Sequence, residues 1–288
     1  MSTAIALQAP AKLNLYLRVV GKRPDGYHEL ETLFERISLA DVLTFERHPA
    51  DIQLSCNIPE LSCGEDNLIM KAARLLQKET GTMEGARIAL TKRIPIAAGL
   101  GGGSSDAATA LLGLNQLWSL QLKQQALIEL GARLGSDVAF FLYDAAYAVG
   151  TGRGEICRPV DSSTRLVQVL VVPNARLATP EVFAGSSFNL TAPKPSIRIL
   201  EHALINGSLS ELASGLLNDL EPEAIRRCPI IATIQMTLKQ QGCLAVRMSG
   251  SGPSVFGLCS SREQASRIVQ ELRQKATQPW LIDVVETL

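Results

Sequence analysis

The chain has 288 residues, 46% hydrophobic and 19% charged, enough for one large or two modest domains with a sizeable buried core. Its 28 Lys and Arg balance 28 Asp and Glu, so no global basic field exists to gather nucleic acid or an anionic membrane surface. A small-molecule partner is the favoured class, and a local basic pocket for a phosphorylated ligand is compatible with zero net charge.

The six cysteines (Cys56, Cys63, Cys157, Cys228, Cys243 and Cys259) contain no C-x-x-C pair, and the histidines are only His28, His48 and His202. A structural zinc site is therefore not expected. Residues 1–10 lack a basic stretch leading into an apolar one, and no apolar run approaches the ~18 residues of a membrane span. Scattered free thiols without a leader predict a reduced, cytoplasmic protein. A bacterial cytoplasm fits best, with a plastid protein stripped of its transit peptide as the alternative.

Along the chain, residues 12–20 alternate as a half-buried strand and end at a turn-rich stretch, residues 21–26. Asp66-Asn67 precedes Leu68, Ile69, Ala72, Ala73, Leu75 and Leu76, a helical spacing behind an N-cap. Residues 86–90 read as a short strand leading to Pro95, and residues 123–134 as a helix. The apolar residues after Asp137 read as a strand. Residues 165–172 are β-branched and open a second unit, with a boundary near residues 159–164. Helices are expected over 197–205 and 225–239, strands over 244–248 and 254–258, a helix over 261–275 and a strand over 281–285. This is an α+β reading without repeats.

The sharpest local signal is Pro95-Ile96-Ala97-Ala98-Gly99-Leu100-Gly101-Gly102-Gly103-Ser104-Ser105-Asp106. The glycines remove side chains where backbone must approach a ligand closely. Behind them Ala107, Ala110, Leu111, Leu114, Leu117 and Trp118 recur at helical spacing. A glycine loop entering a helix start presents unpaired N–H groups and the positive dipole end, which suits phosphate oxygens. Ser104 and Ser105 add hydroxyl donors or cap the helix. No lysine follows as in a Walker loop, and Ser104 stands where a dinucleotide fingerprint needs glycine. A plain flexible linker is the weaker reading, since linkers rarely set four glycines against an amphipathic helix. Two further glycine clusters, Gly150 to Glu155 and Met248 to Ser254, are by themselves more often hairpin turns than ligand sites.

Phosphoryl transfer needs a phosphate cradle, a metal, a cation and a carboxylate able to take the hydroxyl proton. Asp137, in Gly135-Ser136-Asp137-Val138, is a candidate base, although an isolated aspartate there is by default a cap or turn residue. Lys12 alone would be a solvated surface lysine. Tyr27 and His28 could stack on and hydrogen-bond a planar ring, and a core tyrosine with a surface histidine is as good a reading from composition. No G-x-S-x-G elbow is present.

Residues 95–108 resemble the phosphate-binding motif of the GHMP kinases. Pro10-Ala11-Lys12-Leu13-Asn14-Leu15 and Arg23-Pro24-Asp25-Gly26-Tyr27-His28-Glu29-Leu30 narrow the resemblance to the branch acting on cytidine-diphosphate methylerythritol. Gly135 to Val138, Gly152 to Glu155, Asn218 to Glu221 and Met248 to Pro253 follow in the family's order. The resemblance implies a two-domain fold: an N-terminal ribosomal-protein-like ATP-binding domain (1–160) and a ferredoxin-like C-terminal domain (161–288), with the active site in a cleft between them. It implies transfer of the ATP γ-phosphoryl to the 2-hydroxyl of the methylerythritol unit. Asp137 would be the base, Lys12 its cationic partner, and Asn14 would help place the substrate. Tyr27 would pack on the cytosine and His28 would bond its edge. Pro95 to Ser105 would wrap the ATP phosphates, with Mg²⁺ bridging ATP oxygens and its protein ligands unassigned. The assembly would be a monomer or homodimer, without nucleic acid or membrane partners. Ala97-Ala98 departs from the family's more glycine-rich loop entry, and Ala139-Phe140 from its usual proline.

Three rival readings are a homoserine or mevalonate kinase, a non-catalytic nucleotide-binding module, and an α+β nucleic-acid-binding domain. Tyr27-His28 speaks against the first, a Lys12 with Asp137 against the second, and neutral charge without a basic aromatic stripe against the third.

Overall fold

The alternating residues 12–20 lie within a longer strand, β1 (Ile5–Lys22), in a computed structural model that describes residues 4–49, 51–276 and 278–288. Arg23 to Tyr27 turn the chain, with the Arg23 N–H donating to Tyr27 O at 2.8 Å, into β2 (His28–His48). Then come β3 (Ile52–Cys56), α1 (Leu68–Thr80), β4 (Gly85–Thr91), α2 (Gly102–Leu117), α3 (Gln124–Leu134), α4 (Val138–Leu142), β5 (Tyr147–Thr151), β6 (Ile156–Val160) and β7 (Val167–Val172). The remainder is α5 (Thr179–Gly185), α6 (Ile197–Asn206), α7 (Leu209–Gly215), β8 (Leu217–Asn218), α8 (Glu221–Arg227), α9 (Ile230–Gln240), β9 (Ala245–Met248), β10 (Val255–Cys259), α10 (Arg262–Lys275) and β11 (Leu281–Glu286).

Two compact units share these elements. The first takes the chain up to Ala11, Leu39–Ile94 and Gly101–Asp144; the second takes Lys12–Ser38, Pro95–Leu100 and Ala145–Leu288. β1 and β2 therefore each contribute to both units.

In the first unit, β4 runs antiparallel to the end of β2, from Val42↔Thr91 to His48↔Gly85, and β3 runs parallel to β4. α1 starts where its cap predicts: Asn67 Oδ1 accepts the Ile69 N–H at 2.9 Å, and Gly81 ends the helix at φ 71°. α1, α3 and α4 pack on α2, whose Ala107, Ala110, Leu111 and Leu114 are buried. Gly113 lets α2 lie directly on Phe45, because a Cβ there would stand 2.4 Å from the ring. The apolar run after Asp137, expected as a strand, is the short helix α4, and all five of its residues are buried. A five-residue run buried all round carries no period to separate the two structures.

In the second unit, β7-α9-β9-β10-α10-β11 forms an antiparallel sheet of order β11-β7-β10-β9. That is the βαββαβ topology with strand order 4-1-3-2, ferredoxin-like as expected. Val169, Val171, Ile234, Leu238, Val246, Val255 and Ile268 form its core. The helix expected over 225–239 is two helices, broken at Cys228 (φ −136°) before Pro229. Proline has no N–H to continue the ladder and pushes its predecessor out of the helical region. The start of β2 pairs with β5, and β5 with β6, around the Gly150 to Glu155 turn. β8 pairs parallel with Tyr16 and Leu17 of β1.

Candidate active site

The first unit supplies a helix start without a cap. Gly101 precedes α2 at φ 68°, no side chain caps the helix, and the Ser105 N–H donates to Gly101 O at 2.9 Å. The N–H groups of Gly102, Gly103 and Ser104 have no intrahelical acceptor by helix geometry, and they stand at the positive dipole end. The Ser105 hydroxyl is fully buried, with no partner among the described residues. Neither serine caps α2. Directly behind the first turn lies a buried charge cluster: Lys92 Nζ meets Asp41 Oδ2 and, at 2.8 Å, Asp106 Oδ2. A Cβ on Gly102 would come within 2.9 Å of that ammonium.

Asp137 is half-buried in the turn between α3 and α4. It occupies the N-cap position of α4, yet its side chain makes no capping bond. The turn abuts the start of α2, because a side-chain carbon on Gly135 would stand 4.0 Å from Ser104 Oγ. The turn that carries Asp137 and the start of α2 thus lie side by side within one unit, and the default role of cap is not the one this aspartate plays.

The second unit holds the loop segment and the Lys12 cluster. Ala97 adopts φ 55°, a left-handed conformation that costs a non-glycine residue roughly 1–2 kcal/mol. This explains physically why glycine suits the loop entry better. Gly99, at φ 77°, admits no side chain, since a Cβ would lie 2.2 Å from Ser249 O. Gly99 O accepts the Ser249 hydroxyl at 3.0 Å and Ala98 O the Ser254 N–H at 3.3 Å. The Met248 to Ser254 turn, with its cis Gly252-Pro253 peptide, therefore seats the segment Pro95–Leu100. Asn218 fixes that turn, donating to Met248 O and Gly250 O at 2.8 Å each.

Lys12 is 4% exposed, and its Nζ donates to Asn14 Oδ1 at 2.5 Å and lies 5.7 Å from the Phe34 ring centroid. Asn14 Nδ2 donates to Thr32 Oγ1 at 2.8 Å, and Thr32 donates on to Tyr16 O at 2.6 Å. The Asn14 N–H donates to Ser249 Oγ at 3.2 Å. A side chain held this firmly keeps its Nζ at a fixed point, unlike the mobile one of a surface lysine.

Tyr27 is 56% exposed, with the Arg153 guanidinium 5.0 Å from its ring centroid. His28 stacks on Phe183 (5.3 Å, 22°) and meets Phe188 edge-on (5.1 Å, 69°). Phe183 thus covers one face of the imidazole, and Phe188 meets it at a steep angle. Partial burial, then the nearby Lys22 charge, hold the imidazole below its usual pKa, so it is neutral at pH 7.

Thr32, Phe183 and Phe188 escaped the sequence reading, and Arg153, inside the Gly150 to Glu155 cluster, was given no role there. Thr32, Phe183 and Phe188 sit in no motif, and only folding carries them to Asn14 and His28. Ser249 and Asn218 did lie in the quoted segments, without a readable role.

Residues 67–145 match the GHMP kinases N terminal domain and residues 200–278 the GHMP kinases C terminal domain. The chain is 40% identical over 271 residues to 4-diphosphocytidyl-2-C-methyl-D-erythritol kinase of Pelotomaculum thermopropionicum, covering 94% of each. It is 38% identical over 284 residues to that of Shouchella clausii, covering 98% of this chain and 95% of the relative. A crystal structure of 4-(cytidine 5'-diphospho)-2C-methyl-D-erythritol kinase superposes with a TM-score of 0.83 at 35% identity, covering 98% of this chain and 99% of the other. Homoserine kinase from Cytophaga hutchinsonii shares the fold alone, with a TM-score of 0.76 at 18% identity, covering 99% of this chain and 94% of the other.

Proposed function

Because the chain belongs to the GHMP kinases, on the branch of its 4-diphosphocytidyl-2-C-methyl-D-erythritol kinase relatives, we propose that it transfers the ATP γ-phosphoryl to the 2-hydroxyl of 4-diphosphocytidyl-2-C-methyl-D-erythritol. The products are the 2-phosphate and ADP, and the pathway is non-mevalonate isoprenoid precursor biosynthesis. The observation that carries the reading is end-to-end likeness to those relatives at 38–40% identity. Homoserine and mevalonate kinases match at 18% or below, where only the fold is shared.

In this reading the N–H groups of Gly102, Gly103 and Ser104, with the loop from Pro95 to Gly101 and the Ser104 and Ser105 hydroxyls, bind the ATP phosphates. Asp137 takes the proton from the substrate hydroxyl. Lys12 supplies fixed positive charge for the developing alkoxide, and Asn14 places the substrate by orienting that ammonium. Tyr27 offers an aromatic face to the cytosine and His28 an edge nitrogen. Residues 1–160 would be the nucleotide domain and 161–288 the C-terminal domain, and each family match falls wholly on one side of that boundary.

Among the described residues no three His, Cys, Asp or Glu side chains converge on one point. Mg²⁺ brought in with ATP would supply charge neutralisation at the phosphates. No helix among the described residues is long and apolar enough to cross a membrane; the proposed cytoplasmic location rests on the scattered cysteines of the sequence instead.

The test is Asp137→Asn. The expected result is a kcat lowered by about 10²–10⁴-fold with the nucleotide Kd changed less than about threefold. Parallel loss of both would make the residue structural and sink the assignment.

A further inference from the structure

The buried cluster behind α2 is larger than its structural task requires. Asp41 Oδ1 accepts the N–H groups of Arg93 (2.5 Å) and Ile94 (2.8 Å), which ties the end of β4 to β2. Lys92 then links Asp41 to Asp106 on α2. One lysine and one aspartate would complete that link with charges balanced. The second carboxylate makes the cluster formally −1, in a spot where Asp41 is 0% exposed, Asp106 3% and Lys92 8%. Asp106 Oδ1, moreover, is buried with no hydrogen-bond partner among the described residues, as is the adjacent Ser105 hydroxyl. An unpaired carboxylate oxygen in such surroundings is costly when ionised and far less so when protonated.

The location makes that proton consequential. The cluster touches the underside of the first helical turn, where Gly102 leaves no room for a side chain over the Lys92 ammonium. An extra negative charge there opposes the helix dipole that attracts an anion; a neutral carboxyl lets the ammonium reinforce it. We propose that Asp106 is a proton-linked positioning residue for the nucleotide: binding of a nucleoside triphosphate at the start of α2 is accompanied by proton uptake at its carboxyl. The proposal rests on the reading of that helix start as the phosphate site. Burial first, against the pull of Lys92 and with the push of Asp41, raises the Asp106 pKa to about 7, inside the physiological range. Lys92 and Asp41 are the charged groups that act on it.

The sign follows from linkage. An anion favours the protonated form, so affinity falls as pH rises through about 7, and a neutral amide at this position removes the dependence. The experiment is titration of a non-hydrolysable ATP analogue into wild type and Asp106→Asn at about pH 6 and about pH 8. The nucleotide's own ionisation is common to both proteins and cancels in their ratio. The wild-type Kd should rise over that interval by about threefold to tenfold more than that of Asp106→Asn. Parallel profiles would overturn the proposal while leaving the phosphate site intact. Failure of wild type to bind the analogue at all would overturn both. Should the variant not fold, calorimetry of wild type in buffers of different ionisation heat decides instead: proton uptake near pH 7 beyond the nucleotide's own supports the linkage, and none refutes it.

Discussion

Two residues show how burial, more than residue type, sets chemistry here. Glu35 is fully buried, and its oxygens accept Gln168 Nε2 (2.9 and 2.7 Å) and Thr287 Oγ1 (2.6 Å). Desolvation outweighs those bonds and pushes its pKa up to about 7. A carboxyl with a raised folded pKa stabilises the fold fully below its unfolded value, and the contribution is lost as pH rises through about 7. Denaturant titrations of Glu35→Gln and wild type should therefore converge or cross, shifting by about 3 kcal/mol in favour of the amide between about pH 4.5 and about pH 7.5. A pH-independent difference would mean that Glu35 titrates normally. Nothing in the sequence sets Glu35 apart from other glutamates, because its environment comes from β7 and the chain end. Asp137 is the contrasting case, singled out by resemblance and found half-buried at the N-cap position of α4, where its side chain makes no capping bond.

At the scale of elements, α2 was the most legible part of the chain. Its apolar spacing predicts the helix, which begins at Gly102, inside the glycine run and ahead of the serines expected as caps. The capped helices α1 and α10 were equally readable, with Asn67 and Ser261 accepting N–H groups as their positions demand. The long β2 was not read, because over 21 residues it changes which face is buried and so keeps no single alternation. What α2 rests on was also invisible: Lys92, Asp41 and Asp106 lie far apart in sequence and meet only in the fold. Lys92→Met would leave two buried carboxylates without their cation, so urea unfolding should show a loss of about 3–5 kcal/mol. A loss below about 1 kcal/mol would show that the cluster relaxes or hydrates easily.

For the whole molecule, the relatives decide between reactions that one fold supports. GHMP kinases share the architecture at 18% identity, so the fold by itself leaves the acceptor alcohol open. In the proposed reading Tyr27 and His28, the latter packed against Phe183 and Phe188, take the cytidine ring that a small alcohol lacks. In a competition assay, 4-diphosphocytidyl-2-C-methyl-D-erythritol should be phosphorylated while homoserine and mevalonate are not. Faster turnover of either small alcohol would remove the protein from this branch. A methylerythritol phosphate lacking the cytidine should lose kcat as well as affinity, if remote binding energy serves the chemical step.

Local order along the chain was enough to announce the helix starts, the glycine loop, the second unit's strands and the family, because caps, spacing and motifs act between residues a few positions apart. Packing alone decided the rest: that the run after Asp137 coils, that Pro95–Leu100 is seated by the Met248 to Ser254 turn, that Lys12 Nζ is held on Asn14, and that an aspartate behind α2 has, among the described residues, no partner for one oxygen. Desolvation and long-range pairing depend on distances between residues remote in sequence, and those distances exist only once the chain has folded.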